Sequence, residues 1–179
     1  RSTLFPYTTL FRSDWPHNIF TYPVKTLHNR PGRLPGQLMR FSFFRPVFSM
    51  TKIEFRTHIA DKINYTCRWV RKAFANAPGS RIVLLSTDRN LLNRLDEALW
   101  TFSDSDFLPH AMIGDRQAFR SPVILTPDDR GEMPHYDILV NLSQTIPECY
   151  ARFERLIELV STDPTDTSAG RQRYVHYRE

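Results

Sequence analysis

Residues 81–102 read RIVLLSTDRNLLNRLDEALWTF, and this stretch decides the fold class. RIVLLST, at 81–87, is an unbroken apolar run between polar residues, which is typical of a strand buried on both faces of a sheet. Asp88 can then cap a helix, because a short carboxylate accepts hydrogen bonds from the first backbone N–H groups. The apolar stripe of that helix is formed by Leu92, Leu95, Leu99 and Phe102. A buried strand followed directly by an amphipathic helix indicates a parallel α/β sheet.

The alternation of strand and helix continues on both sides of this stretch. Strands are predicted at 51–56, 111–113, 122–126 and 136–142, and helices at 62–77 after Asp61, at 147–160 and at 168–178. The predicted fold class is α/β: a three-layer domain with a mostly parallel central sheet flanked by helices. Its topology would be nucleotide-binding-like, but without a phosphate-binding loop.

Residues 1–49 differ in composition from the rest of the chain. They hold seven Lys/Arg, one acid and six of the thirteen prolines, and residues 3–13, TLFPYTTLFRS, are the in-frame translation of a common sequencing-adapter oligonucleotide. We therefore expect residues 1–49 to be non-native translated upstream sequence, disordered, with residues 50–179 forming one α/β domain. The alternatives are a disordered basic arm or a transit peptide, although the repeated prolines would interrupt an amphipathic transit helix.

The basic character of the chain comes from the same segment. Residues 1–49 carry a balance of +6, so the total of +5 leaves −1 for residues 50–179. A near-neutral domain lacks the basic face that direct nucleic-acid binding requires. Nucleic acid is therefore expected to be only an indirect partner.

No constellation of residues indicates catalysis, a metal or a cofactor. The glycines after residue 50 fall in no GxxxxGK[ST] or GxGxxG motif, and the histidines have no partner at metal-ligand spacing. Cys67 and Cys149, both on predicted helices and not in a CxxC motif, indicate reduced thiols in a cytoplasmic protein. No apolar run reaches the eighteen or so residues of a membrane span. We expect no catalytic residue, no bound metal and no cofactor.

Five motifs together carry a family resemblance: RLDEALW at 94–100, DFLPH at 106–110, DILVNL at 137–142, FERLIELV at 153–160 and RQRYVHYR at 171–178. In this order and spacing they resemble the chi subunit of the bacterial DNA polymerase III holoenzyme, over essentially all of residues 50–179. The resemblance implies a non-catalytic accessory subunit of the clamp loader in DNA replication. Such a subunit tethers the replicase to the acidic C-terminal tail of the single-stranded DNA-binding protein.

The terminal helix supplies the first candidate site. Arg171, Tyr174 and Arg178 recur at i, i+3 and i+7, with Arg173 and Tyr177 interleaved. The residues alone fit a solvated helix and a partner-binding face equally well. The resemblance implies that the first three bind the acidic tail, with Val160 as an apolar wall. Two positions that are commonly basic in the family are Val175 and Thr167 here, so this site should be less cationic.

The second candidate site comprises Trp100, Phe107, Pro109 and His110. Aromatic residues of this kind more often belong to a core, where they dominate the buried area. The resemblance implies instead a surface for the psi subunit, which links chi to the clamp loader, or for a repair helicase. The rival interpretation of the whole chain is a small nucleotide-binding α/β enzyme with an unrecognised phosphate site. That enzyme would be protected from melting by ATP, whereas an adaptor would not.

Overall fold

The computed structural model describes residues 21–24, 51–102 and 108–178. In chain order the strands and helices of these residues are β1 (Thr21–Val24), β2 (Thr51–Ile59), α1 (Lys62–Asn76), β3 (Ile82–Leu85), α2 (Arg89–Thr101), β4 (His110–Met112), β5 (Val123–Thr126), β6 (Ile138–Asn141), β7 (Arg155–Ser161) and α3 (Pro164–His176). Short 3-10 turns at Ala118–Arg120 and Tyr150–Arg152 precede β5 and β7.

The strands form one sheet in the order β1-β2-β7-β6-β3-β5-β4. From β2 to β4 every neighbouring pair is parallel, and β3 lies between β5 and β6. The apolar run at the start of residues 81–102 is therefore an interior strand, β3, and all four of its residues are buried. The predicted mostly parallel α/β sheet is confirmed.

Helices cover both faces of this sheet. On one face, buried residues of α1 and α2 such as Val70 and Leu95 share a core with Leu84 and Ile157 from the strands. On the other face, Val83 and Leu156 belong to a second core, which includes Tyr177 at the end of α3. The predicted three-layer arrangement is confirmed.

The predicted caps of the first two helices are also confirmed. The Asp61 carboxylate accepts hydrogen bonds from the backbone N–H groups of Ile63 and Asn64, at 2.9 and 3.1 Å. The Asp88 carboxylate accepts the corresponding bonds from Asn90 and Leu91, at 2.9 and 3.3 Å. Each cap satisfies backbone donors that a first helical turn leaves without a partner.

The prediction of a helix at 147–160 is wrong, because residues 155–161 form β7, which pairs with β2 and β6. Leu156 and Val160 face α3, whereas Ile157 and Leu159 face α1 and α2. A strand covered on both faces is apolar throughout, so its pattern does not distinguish it from a buried helix. The terminal helix also begins earlier than predicted, at Pro164 after the cap residue Asp163.

Strand β1 lies within the segment that was expected to be non-native and disordered. Its four residues pair antiparallel with residues 51–54 of β2, so the expectation of disorder does not describe residues 21–24. Residues 1–20 and 25–50 lie outside the described residues. The boundary of the domain at residue 50 remains a prediction.

Helix α3 lies close against β7 at Gly170. A Cβ atom built on Gly170 would lie 2.8 and 2.9 Å from the two γ-methyl carbons of Val160. Val160 is buried, and its branched side chain has little rotamer freedom with which to withdraw. The absence of a side chain at Gly170 therefore permits the observed packing of α3 on the sheet.

We expect Gly170→Ala to destabilise the domain, because overpacking at Val160 (about 1–3 kcal/mol) exceeds the helix-propensity gain of about 1 kcal/mol. A net loss of up to about 2 kcal/mol in the free energy of unfolding should appear in urea denaturation. Gly131→Ala is the matched control, since a Cβ there meets nothing within 4 Å. An unchanged or raised stability of Gly170→Ala would contradict the close packing.

Candidate functional site

Helix α3 carries the first candidate site, and its buried face is unusual in being mostly polar. Asp163 caps the helix through bonds from Thr165 N and Asp166 N, and Pro164 occupies the first turn. The buried positions that follow are Asp166, Gly170, Arg173 and Tyr177. Their spacing of four, three and four residues places them along one side of a helix.

The carboxylate of Glu158, in the middle of β7, accepts hydrogen bonds from two of these residues. Arg173 donates from Nε to Oε2 at 2.8 Å, and Tyr177 donates from its hydroxyl to Oε1 at 2.7 Å. From β6, the amide of Asn141 donates to both oxygens, at 3.0 and 3.1 Å. Glu158 is fully buried, and Arg173 is only 1 % exposed. We call these four residues the Glu158 network.

The network continues into the loop that follows β6. Arg173 Nη1 donates to the backbone carbonyl of Gln144 at 2.9 Å. The side-chain oxygen of Asn141 accepts from the backbone N–H and the hydroxyl of Ser143, at 3.0 and 2.6 Å. The amide of Asn141 also donates to the carbonyl of Thr145. Helix, strand and loop are thus held by one connected set of hydrogen bonds.

Burial raises the pKa values of two residues of the network, Glu158 and Tyr177. It raises the pKa of the Glu158 carboxyl, against the opposing effects of the Arg173 guanidinium and of the hydrogen bonds from Asn141 and Tyr177. Burial and the adjacent Glu158 carboxylate raise the pKa of Tyr177 far above its ordinary value. Tyr177 therefore remains a neutral hydrogen-bond donor throughout the physiological range.

A second ion pair fixes the beginning of α3. The Oδ2 atom of Asp166 lies 2.7 Å from Lys62 Nζ of α1 and accepts a bond from the backbone N–H of Ser161, also at 2.7 Å. Lys62 in turn donates to the carbonyl of Leu142 at 3.0 Å. Burial opposes ionisation of Asp166, but the bonds from Lys62 and Ser161 outweigh it and lower the pKa of this carboxyl.

The opposite side of α3 faces solvent. Arg171, Val175 and Arg178 are exposed, and Tyr174 is half-buried. The Tyr174 ring packs edge-on against Phe55 of β2, with centroids 5.4 Å apart. The guanidinium carbon of Arg178 lies 5.7 Å from the centroid of the same ring. We call these residues of α3 and its end (Arg171, Tyr174, Val175 and Arg178) the α3 surface.

The structure brings Arg171, Tyr174 and Arg178 together as predicted but places other members of the patch elsewhere. Arg173 and Tyr177 do not belong to the surface, because both are buried against Glu158. Val160 is 2 % exposed and lies beneath Gly170, so it is not an exposed apolar wall. Val160 instead supports α3 from below.

The second candidate site lies where α2 ends and β4 begins. Trp100 is 55 % exposed and Pro109 is exposed, so these residues are not core. His110 is buried. Its ring centroid lies 4.8 Å from that of Trp100, and its Nε2 atom lies 3.3 Å from Asp96 Oδ1. His110 therefore supports Trp100 from beneath and is not itself a contact residue. Phe107 lies outside the described residues. We call Trp100 and Pro109, supported by His110, the α2 surface.

The geometry provides little for nucleotide or metal chemistry. In the turn after β3, the Ser86 hydroxyl accepts from Asp88 N and is buried, and Asp88 is occupied in capping α2. Among the described residues no cluster of three or more His, Cys, Asp or Glu could hold a metal ion.

Burial raises the pKa of Cys67 and of Cys149 to about 11. Cys149 was predicted on a helix but precedes a 3-10 turn.

Sequence reasoning missed Glu158, Asn141 and Asp166. One signal was available: Glu158 interrupts the apolar run LIELV, and a charge in such a run is rarely buried without a partner. The partner could have been sought at Arg173, on a helix whose polar residues repeat at helical spacing.

No helix in the described part of the chain has the length and apolar character needed to cross a membrane.

Comparisons with known proteins agree with one another. The family described as "DNA polymerase III chi subunit, HolC" matches residues 50–179. The DNA polymerase III subunit chi of Pseudomonas aeruginosa is 30% identical over 136 residues, which cover 73% of this chain and 91% of that protein. The subunits named chi of Haemophilus influenzae and Escherichia coli are 25% and 27% identical over 100 residues, covering 56% of this chain and 69% and 68% of those proteins.

A solved structure, the helicase domain of Pyrococcus furiosus Hef, superposes with a TM-score of 0.47 at 14% identity. The superposition covers 66% of this chain and 28% of the Hef chain. A likeness at this level carries no argument about function.

We expect Asp166→Asn to cost about 1.5–3 kcal/mol of stability at pH 7, because a charged hydrogen-bond acceptor for Lys62 and Ser161 is lost. The pKa of Asp166 is lowered in the folded chain, so its contribution is complete above the ordinary value of 3.8 and is lost as the pH falls towards the folded pKa. The difference from the parent chain should therefore shrink below pH 3.8 in urea titrations at stepped pH.

The matched control is Glu132→Gln in an exposed loop, which should leave the free energy of unfolding near that of the parent chain at every pH. A difference between Asp166→Asn and the parent that stayed constant below pH 3.8 would contradict the assignment.

Proposed function

The chain belongs to the family of DNA polymerase III chi subunits, and from this premise we propose that it is a non-catalytic adaptor of the polymerase III assembly in DNA replication. Its α3 surface would capture the acidic C-terminal tail of the single-stranded DNA-binding protein. Its α2 surface would bind the psi subunit, and through it the clamp loader. A repair helicase is a further candidate for the α2 surface, and the site of action would be the cytoplasm.

The observation that carries this proposal is the combination of two exposed guanidiniums with a supported aromatic ring on α3. Arg171 and Arg178 are exposed, and a guanidinium can bind a carboxylate through two parallel hydrogen bonds. Tyr174 offers a ring face to an apolar side chain, and Phe55 supports the ring from behind. An acidic segment that ends in an apolar residue and a free carboxylate complements all three groups.

Thr167 and Val175 stand at the two positions that are commonly basic in the family, and they would change recognition of the acidic tail without preventing it. Thr167 turns inward, where its hydroxyl donates to the Ser161 carbonyl at 3.1 Å. Val175 is 53 % exposed beside Tyr174, so it adds apolar contact where a cation would add charge. Recognition would thus depend on Arg171, Arg178 and the apolar tip of the tail.

The two surfaces lie on opposite faces of the sheet. Helix α2 packs with α1 on one face, whereas α3 packs on the other. Two partners could therefore bind at the same time without obstructing each other. In an adaptor of this kind, modest individual affinities suffice because each contact raises the effective concentration for the next.

We expect the chain to bind a fluorescent acidic tail peptide with a Kd in the micromolar range or weaker. Charge-assisted bonds of about 1.5–3 kcal/mol each and one buried apolar side chain of similar value, less the cost of association, correspond to this range. Arg171→Ala should abolish measurable binding in fluorescence anisotropy, and rising salt should weaken it. Deletion of residues 1–49 should leave the Kd unchanged.

The charge-matched control is Arg68→Ala, which removes an exposed cation from α1 on the other face of the sheet and should bind as the parent does. A tail peptide that ends in a carboxamide should bind more weakly than one with a free carboxylate. Tight binding that survives Arg171→Ala would place the site elsewhere.

We expect Trp100→Ala to weaken binding to a purified psi subunit by about 2 kcal/mol or more, as removal of an aromatic anchor commonly does. Isothermal titration calorimetry would measure the loss. The control is Phe119→Ala, which removes an aromatic ring that is 83 % exposed on a 3-10 turn whose Ala118 joins the core of the other sheet face. Equal affinities of Trp100→Ala and the parent for psi would exclude this surface.

A further inference from the structure

The buried face of α3 is held by contacts that depend on direction. Arg173 and Tyr177, one helical turn apart, each bind a different oxygen of the same carboxylate, at 2.8 and 2.7 Å. Two bonds from one rigid group to two successive turns fix both the rotation of the helix about its axis and its position along that axis. Apolar contacts are not directional, and they would allow either to vary.

The position of Glu158 is itself fixed from the sheet. Asn141 of β6 donates to both of its oxygens, and β6 and β7 are paired so that Asn141 lies opposite Glu158. The carboxylate therefore has one orientation, set by the backbone pairing of two interior strands. The pairing of β6 and β7 therefore determines, through Glu158, where α3 lies.

The α3 surface is interleaved with these anchors. Arg171 lies between the buried positions Gly170 and Arg173, and Tyr174 and Val175 lie between Arg173 and Tyr177. A rotation of α3 that removed Arg173 from Glu158 would also change where Tyr174 stands against Phe55. The arrangement of the tail-binding groups is thus coupled to Glu158.

We propose that Glu158 is a positioning residue for recognition of the acidic tail: it touches no ligand, but it fixes α3 so that Arg171, Tyr174 and Arg178 are arranged for binding. This inference rests on the proposed function of the α3 surface. A buried ion pair is often no better for stability than apolar residues of the same volume, which leaves specificity of arrangement as its role here.

The test is Glu158→Gln in the full chain, which keeps the size of the side chain and one acceptor oxygen but removes the charge. Hydrogen exchange of the α3 backbone amides should accelerate at least tenfold, while exchange in α1 stays at the parent value. Tail binding should weaken about tenfold if the competent arrangement of α3 falls to about a tenth of the population.

Two further variants separate positioning from loss of stability. Val70→Ala in α1 creates a cavity in the core of the opposite sheet face, and it should lower the melting temperature while leaving tail affinity unchanged. Tyr177→Phe removes one hydroxyl from the Glu158 network and serves if Glu158→Gln does not fold. It should weaken tail binding severalfold and speed exchange in α3.

The outcomes distinguish this inference from the proposed function. If the parent chain does not bind the tail peptide at low salt, the proposed function fails and this inference fails with it. If the parent binds and both Glu158→Gln and Tyr177→Phe bind equally well, only the positioning role is overturned. Equal weakening by Val70→Ala and Glu158→Gln would likewise overturn it, since the effect would then follow from stability alone.

Discussion

A carboxylate without exposed surface, Glu158, is the group on which the arrangement of this domain most depends. Removing an ion from water costs several kcal/mol, and the cost is tolerable only when donors replace the lost water. Here Arg173, Tyr177 and Asn141 supply those donors from α3 and from β6. Because these donors come from α3 and β6 while Glu158 lies on β7, the requirement of one side chain determines how three elements pack.

This requirement explains a helix that apolar periodicity alone would not predict to pack on the sheet. Its buried side consists of an acid, a glycine, an arginine and a tyrosine. Asp166 is neutralised by Lys62, and Gly170 brings the helix axis close to β7. The close approach lets Arg173 reach a carboxylate in the middle of a strand.

The sequence was most informative where one physical signal acted alone. The buried strand β3 and the capped helix α2 followed from apolar runs, helical spacing and Asp88, and the structure agrees with each. It was misleading at β7, where burial on both faces removes the alternation that identifies a strand. The interior role of Arg173 was missed, because an arginine among exposed arginines looks solvated unless the buried charge in LIELV is used to look for its partner. That partner, Glu158, lies fifteen residues away on another element.

The two candidate surfaces share one structural feature. In each, a buried ring supports a more exposed one. The ring centroids of His110 and Trp100 lie 4.8 Å apart, and those of Phe55 and Tyr174 lie 5.4 Å apart. A side chain held in this way loses little rotamer freedom when a partner arrives, so more of the contact energy remains as affinity. Support of this kind requires the underlying helix to be fixed before binding. For α3, the Glu158 network meets that requirement, which is why a residue with no exposed atom bears on recognition at the surface.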